Sequence, residues 1–249
     1  MSVTLPLLRV PYVVLTQVIR SMDPTILVSL SLCSNRTFLL IKTLQSKLTN
    51  ANLCMDIWPV FNCYITNNKS RYNLFQVQDV DDIYYQCGGG ETVSTIYSNN
   101  KFFTFWKDPC DGFRRVMSYV CDLFRLEVHT VRFSKDAFWT VLWVQERQKT
   151  LAFAWQQNLQ VLEADVYQNT LELCTAGTFF IDMAVVTATL TQGFRIPKRD
   201  TLRIGEGSWV TIDHLLTMDC VQLKVEASLL KKRIFVSSST TGQPVEVLD

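Results

Sequence analysis

Few residues in this sequence have the types and the spacing that catalysis or ligand binding requires. Its two histidines, His129 and His214, lie far apart, and neither belongs to a recognisable catalytic or metal-binding constellation. The glycine run at residues 88–91 lacks the G-x-x-x-x-G-K-[ST] pattern that cradles a phosphate, so we interpret it as a turn. The histidines and glycines therefore indicate no active site.

The carboxylates and thiols that could bind a metal are equally dispersed. Asp79, Asp81 and Asp82 resemble part of a calcium loop, but the glycine and the closing glutamate of such a loop are missing. The eight cysteines form no C-x-x-C pair, so we expect them to fill the core as reduced thiols of an intracellular protein. We expect no catalytic residue, no metal and no cofactor. A hydrolase is a rival interpretation, for which the sequence offers no nucleophile paired with a base.

Composition indicates a globular chain. With 48% hydrophobic and 19% charged side chains, its 249 residues can bury a core in one or two domains. The formal net charge of +1 gives no electrostatic reason to expect nucleic acid or an acidic membrane surface as a partner. Composition and charge therefore predict neither nucleic-acid binding nor binding to an acidic membrane.

The N-terminal stretch from Leu5 to Ser34 is unusually apolar, with three charged side chains. A signal peptide is not expected, because Arg9 and two prolines interrupt the apolar run. A membrane anchor is not expected either, because spanning a bilayer takes about 20 consecutive apolar residues. The sequence therefore predicts no membrane contact and leaves the apolar surface to be covered in another way.

Periodicity predicts three short helices in this stretch. The first runs from about Pro11 to Ser21, the second begins at Pro24 after a cap at Asp23, and the third follows a cap at Ser34. A unit this small cannot bury so many aliphatic side chains internally. We expect a permanent partner to cover them, and the alternative is that the helices pack on the protein's own body.

The same residues resemble an F-box, in the form found in a large nematode family: Val10-Pro11, then Val14, Leu15, Val18, Ile19, Met22, Pro24, Leu27, Leu30, Leu32, Ser34 and Arg36 in the motif's order. The resemblance implies a three-helix hook that binds the Skp adaptor of SCF (Skp, cullin, F-box) ubiquitin ligases. It implies that the adaptor contacts Leu8, Val10, Pro11, Val14, Val18, Ile19, Met22, Leu27, Leu30 and Leu32.

Strands are expected after the helical region. β-branched and aromatic runs separated by asparagine- and glycine-rich turns predict a small antiparallel sheet over residues 52–107, including a strand at "DIYYQ". Asp111 is expected to cap a helix from Gly112 to about Leu126. Residues 49–127 thus form a β-rich region with one helix.

An internal repeat begins at Val128. Each repeat has an apolar-x-apolar strand core followed by a return, as in a leucine-rich-repeat-like stack, although the consensus asparagine is missing and one step is long. The predicted strand cores are Val131/Phe133, Leu151/Phe153, Leu171/Leu173, Leu202/Ile204 and Leu223/Val225. The residues between them should form an exposed ladder of Arg132, Ala152, Glu172, Arg203 and Lys224.

Residues 201–228 are similar to the type 2 F-box-associated domain of the same nematode family, in the order of strand, tryptophan, short helix and Asp-Cys. The resemblance implies that this half selects the protein to be ubiquitinated. Trp209 precedes the predicted helix at "TIDHLL" and is a further candidate contact. The candidate contacts for that protein are Arg132, Glu172, Arg203, Trp209 and Lys224. The family usually continues into another helix, whereas this chain ends in a basic and then low-complexity tail that we expect to be disordered from Ser237.

The sequence therefore predicts an α+β protein: an F-box over residues 1–48, a β-rich region over 49–127, a repeat-like domain over 128–236 and a disordered tail over 237–249. The expected function is the substrate-recognition adaptor of an SCF-type ubiquitin ligase, which is not itself an enzyme. A stand-alone interaction scaffold and a non-functional shortened paralogue are alternatives. The sequence does not identify the target, its phosphorylation dependence or the oligomeric state.

Overall fold

The computed structural model describes residues 10–45, 51–67, 70–79, 94–157, 164–182, 198–205, 207–208, 210–226 and 246–247. The fold is α+β. The chain divides into two compact units, one comprising residues 1–55 and 60–127, and the other comprising residues 56–59 and 128–249. The predicted strand at "DIYYQ" and Trp209 lie outside the described residues.

The first unit begins with three helices, as expected. They are α1 (Tyr12–Ser21), α2 (Pro24–Cys33) and α3 (Asn35–Leu44). Ser34 caps α3 through a capping box, because its hydroxyl accepts from the Thr37 amide while the Thr37 hydroxyl accepts from the Ser34 amide. Asp23 occupies the predicted cap position of α2, but its side chain makes no capping hydrogen bond there, so Pro24 at the first helical position marks the start.

The strands of the first unit are β1 (Asn52–Ile57), β2 (Phe61–Thr66), β3 (Arg71–Asp79), β4 (Ser94–Ser98) and β5 (Lys101–Trp106), in the spatial order β1-β2-β3-β5-β4. The prediction of an antiparallel sheet is wrong at one pair: β2–β3 and β4–β5 are antiparallel, but β3–β5 is parallel. Asn99 and Asn100 adopt positive φ angles of 50° and 57° and form the two-residue turn of the β4–β5 hairpin. The second strand of this hairpin, β5, pairs with β3, so β3 and β5 run in the same direction.

A long helix, α4 (Pro109–Phe124), follows β5. It begins three residues before the predicted start, and the predicted cap at Asp111 is wrong. Asp108 is the cap, and its carboxylate accepts from the amides of Cys110 and Asp111 at 2.9 and 3.1 Å. Asp111 instead pairs with Arg115 one turn later. The Asp-Pro pair at residues 108–109 repeats the arrangement at the start of α2.

The second unit is a parallel sheet with helical returns. Its strands are β6 (Val128–Phe133), β7 (Phe153–Gln157), β8 (Thr178–Asp182), β9 (Arg199–Ile204), β10 (Cys220–Val225) and the two-residue β11 (Glu246–Val247). Each strand pairs in parallel with the next one in sequence. The returns contain a short 3-10 helix (Lys135–Ala137) and the helices α5 (Trp139–Arg147), α6 (Ala164–Leu173) and α7 (Ile212–Thr217).

The register of these strands corrects part of the predicted repeat. Leu171 and Leu173 lie in helix α6, and the strand core of that repeat is Phe179/Ile181. Leu151 precedes β7, whose inward residues are Ala154 and Gln156. With these changes the long step between successive strand cores disappears. The inward-facing residues of the five strands align across the sheet, and we call them the inner row: Val131, Ala154, Phe179, Leu202 and Leu223.

Side chains at the ends of the returns tie successive repeats together. The amide of Gln148, just after α5, bonds the main chain of Val128 at both its N–H and its carbonyl, at 2.9 and 2.7 Å. Gln145 does the same at the end of α6, where it bonds the Leu173 carbonyl and the Thr175 amide. These glutamines satisfy main-chain groups that a helix-to-strand corner leaves unpaired.

Of the predicted tail over residues 237–249, the structure describes only the β11 residues, Glu246 and Val247. They pair with Lys224 and Val225 of β10. The rest of the expected disordered segment lies outside the described residues.

Candidate partner-binding surfaces

One side of the three N-terminal helices packs into the first unit. Its buried apolar residues come from all three helices: Leu15, Ile19, Leu27, Val28, Ile41 and Leu44. Helix α4 provides polar anchors as well, because the Ser31 hydroxyl bonds the Tyr119 hydroxyl and Lys42 forms an ion pair with Asp122. Phe38 adds a ring contact to Tyr119, with centroids 5.2 Å apart. The helices are therefore part of a folded unit and not a separate appendage.

The three helices also expose large apolar side chains among their exposed polar ones. Half of the well-exposed large apolar side chains among the described residues lie in α1, α2 and α3. These are Tyr12, Val13, Val14, Ile26, Leu32 and Leu39, and each is 46–71% exposed. Elsewhere such residues are scattered, as is normal for a protein surface. We call these six residues the N-terminal apolar surface.

The predicted adaptor contacts divide between the two sides. Val14, Pro11 and Leu32 are exposed, whereas Val10, Val18, Met22 and Leu30 are partly exposed. Ile19 and Leu27 are each 1% exposed and belong to the core, so we remove them from the set of surface contacts. Leu8 lies outside the described residues.

Sequence reasoning missed Tyr12, Val13, Ile26 and Leu39 as surface residues. Helical geometry held a signal for one of them, since Val13 lies roughly opposite the buried Leu15 around α1. Tyr12, Ile26 and Leu39 are not positions of the F-box motif, so the motif gave no reason to select them.

The second surface is the outer face of the parallel sheet in the second unit. Alternate strand residues point away from the inner row and align in register across five strands. This outer row consists of Arg132, Trp155, Phe180, Arg203 and Lys224. A parallel row of mostly polar residues lies beside it: Thr130, Phe153, Thr178, Thr201 and Gln222.

The centre of the outer row is a continuous series of contacts between planar groups, in which the Trp155 and Phe180 rings are tilted by 46°. The Arg132 guanidinium lies over the Trp155 ring at 4.6 Å, and the Trp155 and Phe180 ring centroids are 5.3 Å apart. The Arg203 guanidinium lies over Phe180 at 4.6 Å. Two cation–π contacts therefore flank one aromatic pair, an arrangement that holds all four side chains against the sheet.

Glu226 neutralises one end of the outer row. Its carboxylate accepts from Arg203 at 3.1 and 2.7 Å and lies 3.0 Å from the Lys224 ammonium. The hydrogen bond from Lys224, followed by the bond and charge of Arg203, lowers the pKa of Glu226. The opposite end differs, since Arg132 has no carboxylate partner within the described parts of the chain.

The structure places three of the predicted ladder residues, Arg132, Arg203 and Lys224, in this outer row. Ala152 and Glu172 are not members. Ala152 precedes β7 and Trp155 takes its position, while Glu172 lies in α6, where Gln168 donates to it at 2.9 Å. The true members were missed because the two middle strands were assigned to the wrong residues.

The groups available for catalysis are poorly placed for it. Burial raises the pKa of the Cys174 and Cys220 thiols to about 11 and that of Cys63 well above its usual value, so these thiols are neutral at pH 7. Partial burial lowers the pKa of His129. His214 is used in the capping box of α7, where its ring nitrogen accepts from the Thr211 amide. The described residues contain no group of three His, Cys, Asp or Glu side chains able to hold a metal ion.

No family model, curated protein or solved structure matches this chain. Among the helices that the structure describes, none has the length and apolar character needed to cross a bilayer.

Proposed function

We propose that this protein is a substrate-recognition adaptor of an SCF-type ubiquitin ligase. In this proposal the N-terminal apolar surface binds a Skp-type adaptor, and the second unit binds the protein to be ubiquitinated. The chain itself performs no chemistry, because the ligase reaction belongs to other subunits.

The observation that carries the proposal is the N-terminal apolar surface. An exposed set of six large apolar side chains on adjacent helices is a recognised mark of a protein interface. Full burial of one such side chain from a fully exposed state is worth about 1.5 to 3 kcal/mol. Because these side chains are already about half buried, a partner covering most of the set would add roughly half of that value for each, before the cost of association is subtracted. The order of F-box-like residues in the sequence supports a Skp-type adaptor as that partner.

The alternative is a stand-alone scaffold whose helices serve only its own fold. The buried contacts of Ile19, Leu27 and Tyr119 favour this alternative, since they show that one side of the helices is needed by the first unit. The exposed side favours a partner. The two proposals therefore differ in what covers Val14 and Leu32.

The test is binding of a purified Skp-type adaptor to the full chain by isothermal titration calorimetry. Val14→Asp combined with Leu32→Asp should abolish binding, because the two charges would have to be desolvated in an apolar interface. Both residues are about half exposed, so the unfolding midpoint should stay close to that of the unmodified chain.

Leu216→Asp is the matched control, because Leu216 is a well-exposed leucine on a helix of the second unit. It should leave adaptor binding unchanged. Adaptor binding that survives the Val14 and Leu32 changes would contradict the proposal. Equal loss in the control would point to non-specific hydrophobic association.

A further inference from the structure

We propose that the outer row of the parallel sheet binds an extended peptide segment that carries an aspartate or glutamate next to an apolar side chain. This inference rests on the proposed function in one respect, since it names the class of target that the second unit would recognise. The binding elements are the Arg132 guanidinium, the Trp155–Phe180 ring pair and the hydroxyls of the neighbouring row.

The charge distribution selects an acidic ligand. Three cations stand in the outer row, and Glu226 is engaged by both Arg203 and Lys224. Asp182 lies at the end of β8, two strands away from Arg132, and Asp56 also belongs to this unit. Neither forms an ion pair with Arg132, so within the described residues no carboxylate neutralises the charge of Arg132. Arginine is the residue best suited to bind a carboxylate through two parallel hydrogen bonds.

The hydrogen-bond donors at the Arg132 end of the outer row also favour an acidic ligand. The Nε of Arg132 and the Nε1 of Trp155 are both shielded from solvent, and neither has a hydrogen-bond acceptor among the described residues. A shielded donor without an acceptor is destabilising. A carboxylate oxygen reaches these donors only when the Arg132 side chain shifts, and it then supplies the missing acceptor, which favours an acidic group over a neutral one.

The aromatic pair accounts for the apolar part of the ligand. Trp155 and Phe180 are partly exposed, and the two flanking guanidiniums hold the rings in place. Rigid, partly exposed aromatic side chains bind a partner at a low cost in conformational entropy. Thr130, Thr178 and Thr201 follow in register beside them and offer hydroxyls to the main chain of the ligand.

The experiment selects binders from a random linear peptide library displayed on phage, using the full chain as bait. Recovered peptides should be enriched in aspartate or glutamate adjacent to a leucine or an aromatic residue. A synthetic peptide of the consensus should bind more weakly as salt increases. Replacing its acidic residue by the amide should weaken binding about tenfold or more, the loss expected when a hydrogen bond to a charged group is removed.

Arg132→Gln should weaken binding of the consensus peptide by the same factor. Arg147→Gln is the matched control, because Arg147 lies 4.8 Å from the Trp143 ring in α5 and forms the same guanidinium–indole pair outside the sheet. It should have no effect. Both variants should unfold at the temperature of the unmodified chain, which excludes a folding defect.

Three results would overturn the inference: recovery of no peptide, a consensus without acidic residues, or equal binding by the Arg132 and Arg147 variants. Adaptor affinity measured on the same variants separates this inference from the proposed function. Peptide binding in a chain that does not bind the adaptor would refute the ligase proposal and leave the peptide site standing. The reverse result would refute the peptide site alone.

Discussion

The N-terminal helices and the outer face of the parallel sheet are both partly uncovered, but they expose opposite kinds of side chain. The helices present only aliphatic and tyrosine side chains in the N-terminal apolar surface. The sheet presents Arg132, Arg203 and Lys224 around two aromatic rings, with Glu226 as a counter-charge. Water solvates the apolar groups of the first surface poorly, whereas the second surface carries charged groups that are partly exposed.

This difference suits two kinds of association. Permanent interfaces are the more hydrophobic ones and resemble a protein core cut in half, whereas charged surfaces govern selectivity and the rate of encounter. A protein with one surface of each kind can stay attached to one partner while it exchanges another. Inner and outer residues in each region should therefore respond differently to substitution.

The largest effect is expected from neighbouring phenylalanines in β8. Phe179 is 0% exposed in the inner row, so Phe179→Ala should lower the free energy of unfolding by about 3 to 5 kcal/mol. Phe180 lies in the outer row, where Phe180→Ala should cost about 0.5 to 1.5 kcal/mol through lost ring contacts. Urea denaturation of both variants measures the difference. Equal losses would mean that the sheet has no distinct inner and outer face.

A similar contrast is expected in α1. Ile19→Ala removes a buried side chain and should lower the free energy of unfolding by about 2 to 5 kcal/mol. Val14→Ala removes a half-exposed one and should change it by no more than about 0.5 kcal/mol. Thermal unfolding followed by circular dichroism tests this pair. A large loss on Val14→Ala would assign Val14 to the core and reduce the surface left for a partner.

Gln156 is a polar side chain in a buried, inward-facing position of the second unit, where the neighbouring strands place apolar residues. It is 0% exposed between Phe133 and Ile181 in an inner row, and neither its amide oxygen nor its amide nitrogen has a hydrogen-bond partner among the residues that the structure describes. Gln156→Met keeps the length of the side chain and should raise the free energy of unfolding by about 1 to 3 kcal/mol. Gln148→Met, which removes three hydrogen bonds to main-chain atoms, should lower it. A loss of stability in the Gln156 variant would mean that its amide is used.

The smallest effect concerns the ionic end of the outer row. Because Lys224 and Arg203 lower the pKa of Glu226, the ion network is complete above the usual pKa of a glutamate, near 4.3. Its contribution to stability is lost as the pH falls through the lowered pKa. An NMR titration of the Glu226 carboxyl should show its pKa rising in Lys224→Gln, and rising less in Arg203→Gln. An unchanged pKa in both variants would contradict the network.

The sequence predicted local features better than it predicted pairings. The three helices followed from proline and serine at their starts, because caps and first-turn prolines act over a few residues. The parallel pairing of β3 with β5 could not be predicted in this way, because it joins strands that are distant in sequence and involves the second strand of the hairpin at Asn99 and Asn100. In the second unit, Leu171 and Phe179 are both apolar and neighbours of an apolar residue two positions on, so pattern alone could not tell a helix from a strand.

The residues of the candidate surfaces could also be predicted only in part from local sequence patterns. Arg132, Arg203 and Lys224 were predicted from strands that were correctly located, whereas Trp155 and Phe180 required the register of the neighbouring strands. Ile19 and Leu27 were apolar and matched the motif, but only the position of α4 and the neighbouring helices reveals that they are buried.

The central claim is that the two surfaces bind different partners independently, and one experiment tests it most directly. The affinities of a Skp-type adaptor and of the selected acidic peptide are measured on three proteins: the unmodified chain, the Val14→Asp/Leu32→Asp variant and the Arg132→Gln variant. The account predicts that the first variant loses only the adaptor and the second weakens only the peptide. Loss of both ligands in either variant, with the fold intact, would contradict it.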